Sequence, residues 1–244
     1  MYDYKEGKKR VKEILDNKLE VFENDSIPND DNFTFENSYY GWVTAIFIDI
    51  RNSSELFSKE DSIMVSKIIR SFTSEIIEIL RGESNLREIG IRGDCVYAIY
   101  TTPKQHDING IINKAAIINS FMTMLNKLLI QKNYSTILAG IGIASAQELV
   151  IKAGRKNVNI NHKVWIGNAV TRASKLSSYG NKNRIGPIVL SPLTYSNTID
   201  IMKKENENAP NWFDVEYPFG EEHYYHCNLI NTYFDNWINE GMNT

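Results

Sequence analysis

The chain has 244 residues, of which 42% are hydrophobic and 23% charged, proportions that are ordinary for a globular protein with one sizeable core. The formal net charge of −3 gives no overall basic field, so we expect no nucleic acid partner. The N-terminal segment contains neither a signal-peptide core nor an apolar run long enough to span a bilayer. We therefore expect a cytoplasmic protein without stable membrane association.

Residues 4–24 place apolar side chains at helical spacing among lysines and glutamates. The stretch that follows, up to Ser38, is rich in turn-forming residues. This pattern predicts a leading amphipathic helix and a loop. The apolar face of the helix could cover the chain's own core or a second copy of the chain, and the sequence favours neither.

The first strand candidate, Trp42–Asp49, is β-branched and aromatic and nearly free of charge until it ends at an acid. Such a composition predicts a strand that is buried on both faces. A polar turn, residues 51–54, follows it. From Ile63 to Leu80, apolar residues recur at three- and four-residue intervals, which predicts a long helix with Gly82 as its stop.

Two short strands are predicted at Leu86–Ile91 and Cys95–Tyr100, because these apolar segments flank the hairpin-type turn Arg92–Asp94. Asp107–Gln131 has the periodicity of another helix. Thr136–Gly154 is apolar and contains glycines, which predicts a strand and then a turn into a neighbouring strand.

Gly167–Ser178 combines a polar start with apolar residues on one side, which predicts a short helix, and Ile185–Ser191 predicts a further strand. Strands that alternate with long helices, together with hairpin patterns, indicate an α/β (α+β) fold. We expect a mixed, mostly antiparallel sheet covered by helices.

Two carboxylates, Asp49 and Asp94, end or open predicted strands that could be neighbours in one sheet. Mg²⁺ and Mn²⁺ prefer carboxylate, carbonyl, water and phosphate oxygens, so two aspartates suffice when the ligand is a triphosphate. The sequence therefore predicts a metal site here. The alternative is that each aspartate only caps a helix or a turn.

Other polar residues could bind phosphate. Arg51, Asn52, Ser53 and Ser54 combine a cation, hydroxyls and backbone amides at a predicted helix start, although a plain helix cap is an equal alternative. On the later short helix, a hydroxyl and two cations could stabilise a phosphoryl group, or could simply be solvated. The residues in question are Thr171, Arg172 and Lys175.

Taken in order, these segments resemble the catalytic domain of class III adenylyl and guanylyl cyclases over roughly residues 40–200. FIDIRNSS (47–54) is similar to the first metal motif of that family, and IRGDCVYAIY (91–100) to the segment with the second metal aspartate. AGIGIASAQELVIKAG (139–154) corresponds to its strand pair. WIGNAVTRASKL (165–176) resembles the motif with the transition-state residues.

The resemblance implies a ferredoxin-like domain that acts as a homodimer, with active sites at the interface and helix residues supplied by the opposite subunit. It implies two divalent cations, Mn²⁺ or Mg²⁺, held by Asp49, Asp94 and the backbone carbonyl of Ile50. It assigns Thr171, Arg172 and Lys175 to catalysis, and Asn168 to nucleotide binding. The corresponding domain organisation is an N-terminal helix and loop (1–38), a catalytic domain (39–200) and a C-terminal extension that completes the domain (201–244).

The sequence departs from the family pattern at two kinds of position. Thr171 replaces an asparagine and Lys175 an arginine, so the bidentate guanidinium fork is missing. The positions with which purine cyclases recognise the base are Gly90 and Val164 here. A site without its polar partners loses discrimination, so these residues argue against ordinary ATP or GTP recognition.

The phrases DIRNSS and REIGIRGDCVYAI are similar to those of Pycsar cyclases, bacterial anti-phage enzymes that make cyclic UMP or cyclic CMP. We therefore expect a uridylate cyclase that converts UTP to 3′,5′-cyclic UMP for a downstream cyclic-nucleotide-binding effector. The alternatives are a cytidylate cyclase and a degenerate module that binds nucleotide without turnover. Candidates for reshaping the base pocket are Arg92, Glu88 and Trp165.

Overall fold

The computed structural model describes residues 1–155 and 160–243, which form seven α-helices and nine strands. The helices are α1 (Tyr4–Asp16), α2 (Ser53–Lys59), α3 (Ser62–Leu80), α4 (Gln105–Gln131), α5 (Asn168–Ser177), α6 (Pro192–Glu205) and α7 (Thr232–Asn239). The strands are β1 (Glu20–Glu23), β2 (Asn37–Ile50), β3 (Leu86–Arg92), β4 (Cys95–Thr101), β5 (Ala139–Arg155), β6 (Ile160–Gly167), β7 (Ile188–Leu190), β8 (Phe213–Glu216) and β9 (Tyr224–Cys227). None of the described helices combines the length and apolar content needed to cross a membrane.

All nine strands belong to one sheet, with the order β3-β4-β2-β5-β7-β9-β8 and with β1 and β6 pairing β2 and β5. Among the strand pairs of the described residues, β1–β2 and β5–β7 are the parallel ones. The other described pairs are antiparallel. The predicted fold class, a mixed and mostly antiparallel sheet with helices, is confirmed.

The central strand β2 is buried on both faces, because successive side chains of a strand point to opposite sides. Ile46 and Ile48 face a core built with α3 and α4, whereas Ala45 and Phe47 face a second core built with α5. By the same alternation, Asp49 lies on the α5 side of the sheet. The alternation therefore places a carboxylate on the same face of the sheet as the helix that carries the predicted transition-state residues.

The C-terminal residues contribute to the same sheet and core. β9 pairs with β7 and β8 with β9, so this hairpin extends one end of the sheet. Helix α7 contacts α4, and Asn231 at its start accepts a hydrogen bond from the Ser120 hydroxyl at 3.5 Å. The hairpin also brings the loop between β8 and β9 close to α5.

Two of the differences between the predicted and the observed elements come from strand pairing. The leading helix ends at Asp16 rather than near residue 24, and 20–23 form β1, because the first residues of β2 have a free edge that β1 occupies. The predicted strand and turn within 136–154 is instead the single long strand β5, which stays extended because β2 pairs with it from Ser38 to Ile50. Both differences arise from strand pairing that local sequence does not encode.

Candidate active site

Asp49 and Asp94 lie at the same edge of the sheet. Asp49 is in register with Cys95 across the β2–β4 pair, and Asp94 immediately precedes Cys95 in the turn between β3 and β4. Burial raises the pKa of Asp49, the Arg51 guanidinium lowers it, and the nearby Asp94 carboxylate raises it again, so that the net shift is upward. The two predicted metal ligands are therefore close enough to repel each other when both are ionised.

Arg51, one of the predicted phosphate-binding residues, points into the protein, and only 6% of its side chain is exposed. Its guanidinium forms an ion pair with Asp49 and donates a hydrogen bond to the carbonyl oxygen of Ser178 at 2.8 Å. Ser178 directly follows α5. Arg51 thus connects the acid at the end of β2 to the C-terminal end of α5.

The oxygen atoms near Asp49 and Asp94 are suitable ligands for hard divalent cations. Among the described residues, no cluster of three or more His, Cys, Asp and Glu side chains has the geometry of a metal site. Burial raises the pKa of the adjacent Cys95 thiol to about 12, so it stays protonated and offers no thiolate. Two carboxylates and the backbone carbonyl of Ile50, the last residue of β2, fit Mg²⁺ or Mn²⁺ that also binds substrate phosphates.

The other residues predicted to hold phosphate stand next to this pair. Asn52 precedes α2 with a positive φ of 53°; the residue is exposed, and its side chain makes no cap hydrogen bond to the helix. Ser53 and Ser54 form the first turn of α2, Ser53 half-buried and Ser54 exposed. The predicted phosphate-binding role of these three residues stays a prediction.

A hydrogen-bonded network fills the predicted base pocket. The Tyr97 hydroxyl donates to one oxygen of Glu88 and the Trp165 indole N–H donates to the other, both at 2.8 Å. Gly90 lies opposite Tyr97, and a Cβ on it would lie 2.7 Å from the tyrosine oxygen. The Tyr97 ring therefore occupies the space in which a purine-recognising side chain at position 90 would begin.

This network borders a cleft of about 540 Å³ between β3 and β6. Lys163 of β6 donates to the Arg87 carbonyl of β3, which holds the two strands together across the sheet face. Val164 is exposed, as is Arg92 at the end of β3. Glu88 and Trp165, both predicted to shape the base pocket, are thus in contact, and their role in base recognition stays a prediction. Tyr97 was not predicted, because an aromatic residue in a strand is ordinary core.

Helix α5 carries the predicted transition-state residues on a second cleft, of about 390 Å³. Its lining includes Asn168, Thr171, Arg172 and Lys175 but neither Asp49 nor Asp94. Asn168, Thr171 and Lys175 are exposed, and Arg172 is half-buried. Within one chain, the structure brings the helix residues together but keeps them in a cleft separate from the carboxylate pair.

Carboxylates from the β8–β9 loop already pair with the cations of α5. Lys175 Nζ lies 2.9 Å from a Glu221 oxygen, and Arg172 Nη2 lies 3.2 Å from a Glu222 oxygen. Glu221 raises the pKa of Lys175, and Lys175 in turn lowers the pKa of Glu221. Sequence analysis missed both glutamates; the only available indication was an acidic pair inside an aromatic segment.

A mixed sheet that presents two edge carboxylates and a cationic helix on one face defines a domain suited to polyphosphate chemistry with divalent cations. Residues 35–208 match the adenylate and guanylate cyclase catalytic domain. The chain belongs to this family of nucleotide cyclases.

Relatives of known name and structure agree with this membership. The chain is 53% identical to a uridylate cyclase of Treponema porcinum over 99% of its own length and 82% of that protein. It is 31% identical to a uridylate cyclase of Gulbenkiania mobilis, over 85% of this chain and 80% of that protein. The adenylyl cyclase CyaB from P. aeruginosa shares the fold, with a TM-score of 0.62 at 18% identity over 78% of this chain and 95% of the other.

Proposed function

We propose that this protein is a uridylate cyclase, which converts UTP to 3′,5′-cyclic UMP and pyrophosphate. The observation that carries the proposal is the pair of carboxylates at the sheet edge, on a chain that is 53% identical to a protein named uridylate cyclase. In the reaction, the ribose 3′-oxygen bonds to the α-phosphorus while the bond from that phosphorus to the β-phosphate bridging oxygen breaks. The hydroxyl proton leaves to solvent.

The chain's own residues position and neutralise the substrate. Asp49, Asp94 and the Ile50 carbonyl would hold two divalent cations, Mn²⁺ or Mg²⁺. When bound, the cations would neutralise the phosphates and lower the pKa of the 3′-hydroxyl. Asn52, Ser53 and Ser54 donate to phosphate oxygens beside the carboxylates. Positioning and electrostatics supply most of the rate enhancement, so no side-chain base is required.

A second copy of the chain completes the site. Thr171, Arg172 and Lys175 line a cleft that excludes the carboxylate pair of their own chain. In the proposed homodimer, α5 of one subunit faces Asp49 and Asp94 of the other, so that Lys175 reaches the phosphate that gains charge in the transition state. Asn168, at the start of α5, contacts the same nucleotide.

The base pocket supports a pyrimidine. Tyr97 covers Gly90, the position at which purine cyclases carry a base-recognising side chain. Glu88, held by Tyr97 and Trp165, presents acceptor oxygens to a smaller base, and the exposed Arg92 at the end of β3 would donate to a base carbonyl. Of the two pyrimidines, the named relatives favour uracil over cytosine.

The resemblance to Pycsar cyclases supports a role in anti-phage defence. In this proposal, cyclic UMP is a second messenger, and a cyclic-nucleotide-binding effector elsewhere in the cytoplasm responds to it. The DIRNSS and REIGIRGDCVYAI segments are the basis for this assignment.

The test is turnover of UTP by the purified protein with Mn²⁺, followed by mass-resolved product analysis. We expect a product that comigrates with authentic 3′,5′-cyclic UMP, and a loss of about hundredfold or more in rate in Asp49→Ala and in Asp94→Ala. The control is Asp200→Ala, which removes an exposed acid on α6 and leaves the rate unchanged.

Other outcomes identify the other functions. Cyclic CMP alone would make the protein a cytidylate cyclase. Nucleotide binding without any cyclic product would contradict the enzyme and favour a binding module. Near wild-type turnover in either aspartate variant would contradict the metal assignment.

A further inference from the structure

One buried carboxylate lies against the start of α5 and has no part in the proposed chemistry. Glu148 of β5 is fully buried, opposite Gly167 of β6. One of its oxygens accepts a hydrogen bond from the backbone N–H of Ala169 at 2.5 Å. Ala169 is the second residue of α5, so the carboxylate caps the helix from a different strand.

The helix needs this cap because its own flanking residue supplies none. α5 begins at Asn168, directly after β6, and Gly167 has no side chain with which to cap it. In contrast, α7 is capped by its own preceding residue, Asn231, whose side chain accepts from the Phe234 N–H. The first N–H groups of a helix have no partner within the helix, so the buried ones of α5 depend on Glu148.

Gly167 and Glu148 fit each other sterically. A Cβ on Gly167 would lie 2.8 Å from the carboxyl carbon of Glu148 and equally close to one oxygen. Any larger residue at position 167 must therefore push the carboxylate away from the helix. Because Gly167 has no side chain, the Glu148 carboxylate has room to reach the start of α5.

The cap is close to the predicted transition-state residues. Thr171 lies two residues beyond Ala169, and its hydroxyl donates to the Gly167 carbonyl at 3.2 Å. Lys175 follows one turn later on the same helix. A helix whose first turn is fixed has a defined distance from the sheet and a defined rotation about its own axis. Together these determine where the side chains of Thr171 and Lys175 point.

We propose that Glu148 is a positioning residue for the cyclase reaction: its carboxylate fixes the start of α5 on β5 and thereby places Thr171 and Lys175. The inference rests on the proposed function. Burial of the carboxylate has a cost, since desolvation raises the pKa of Glu148 while the N–H groups of Ala169 and Val170 lower it. Its second oxygen has no hydrogen-bond partner among the described residues. The favourable contact is therefore the one to the helix.

The experiment compares Glu148→Ala and Glu148→Gln with Asn231→Ala, which removes a cap from α7 on the opposite face of the sheet. Amide hydrogen exchange measures whether the cap is intact, and kcat and KM measure the reaction.

We expect Glu148→Ala to speed amide exchange at 168–171 and to lower kcat by about tenfold to hundredfold, with KM changed by less than about threefold. Glu148→Gln keeps an acceptor oxygen and recovers most of kcat. Asn231→Ala loses stability without loss of kcat.

Gly167→Ala provides a second route if Glu148→Ala does not fold. Its added methyl displaces the carboxylate but leaves Glu148 itself unchanged. We expect the same loss of kcat and the same faster local exchange. A further comparison is made in the Lys175→Ala background. There, displacement of the cap should lower kcat by a smaller factor than in the wild-type background, because one of the two residues that Glu148 places is gone.

The proposal is overturned if kcat in the Glu148 and Gly167 variants matches that of Asn231→Ala at equal stability, since Glu148 would then be structural only. Turnover is measured with whichever nucleoside triphosphate the wild type cyclises, so a wrong assignment of the base leaves the test intact. A wild type that cyclises none overturns both proposals for the reaction, whereas exchange at 168–171 still shows whether the cap exists.

Discussion

The Lys175 ammonium group already forms an ion pair with Glu221 of its own chain. Glu221 and the Tyr179 hydroxyl form a compact group with it, in which Tyr179 donates to the second Glu221 oxygen at 2.8 Å. An ammonium group has no fixed fork, so a phosphate oxygen can replace a carboxylate oxygen at the same position. In the proposed reaction, substrate binding would therefore replace the Glu221 carboxylate at Lys175 with a phosphate oxygen.

Removal of the partner should change the titration of Lys175. Glu221 raises the pKa of Lys175, so Glu221→Gln should lower it towards its ordinary value. The measurement is an NMR titration of the labelled lysine side chain without nucleotide. Glu78→Gln, which removes a carboxylate of α3 that is paired with Arg81, is the control and should leave the pKa of Lys175 unchanged. An unchanged pKa in Glu221→Gln would show that the ion pair does not persist in solution.

At the scale of elements, helix α5 lies directly on the glycines of β5. A Cβ on Gly142 would lie 2.1 Å from the Ala173 carbonyl oxygen and 2.2 Å from the Ser177 nitrogen. Because both atoms belong to the helix backbone, the helix as a whole would have to move. The small residues of β5 thus set the distance between the sheet and the residues on α5.

Gly142→Ala should therefore destabilise the fold by about 1–3 kcal/mol or more, as overpacking of a close backbone contact does. Gly110→Ala, in the second turn of α4, is the control, since no described atom outside its own helix backbone lies within 4 Å of the added Cβ. That change should be neutral or should stabilise by up to about 1 kcal/mol, because alanine is the better helix former. Urea unfolding of both variants provides the comparison; equal stabilities would refute the close contact.

Elements with strong local patterns could be predicted from sequence. The helix at 62–80 and the hairpin around Gly93 were placed within a few residues of their actual bounds, because periodicity and turn residues are local properties. The strand β1 and the full length of β5 could not, since both depend on β2 as a partner. The same holds for Glu148 and Glu221, whose contacts with α5 join residues that are far apart in sequence.

The whole molecule separates the two halves of the proposed site. Asp49 and Asp94 share one sheet edge, whereas Thr171 and Lys175 open into a different cleft of the same chain. A single chain thus carries one pair of predicted metal-binding aspartates and one set of helix residues, but not next to each other. Closed two-fold pairing would bring the halves together twice, since an isologous interface repeats each contact.

Mixing two inactive variants tests this arrangement. Asp49→Ala and Lys175→Ala each damage both sites of a homodimer, but a mixed dimer has one site with neither substitution. After subunit exchange at equal concentrations, we expect about a quarter of wild-type activity, because half of the dimers are mixed and each has one intact site. Activity that stays at the average of the separate variants, once exchange has been demonstrated, would place the complete site in one chain.

The most direct test of the account is competition for the site. Equal concentrations of ATP, GTP, UTP and CTP are incubated together with the protein and Mn²⁺, and the cyclic products are quantified by mass, so that their ratio gives the relative kcat/KM values. We predict that cyclic UMP dominates and that all products disappear together in Asp94→Ala. A mixture dominated by cyclic AMP or cyclic GMP would contradict the account, because it would mean that the pocket closed over Gly90 by Tyr97 still selects a purine.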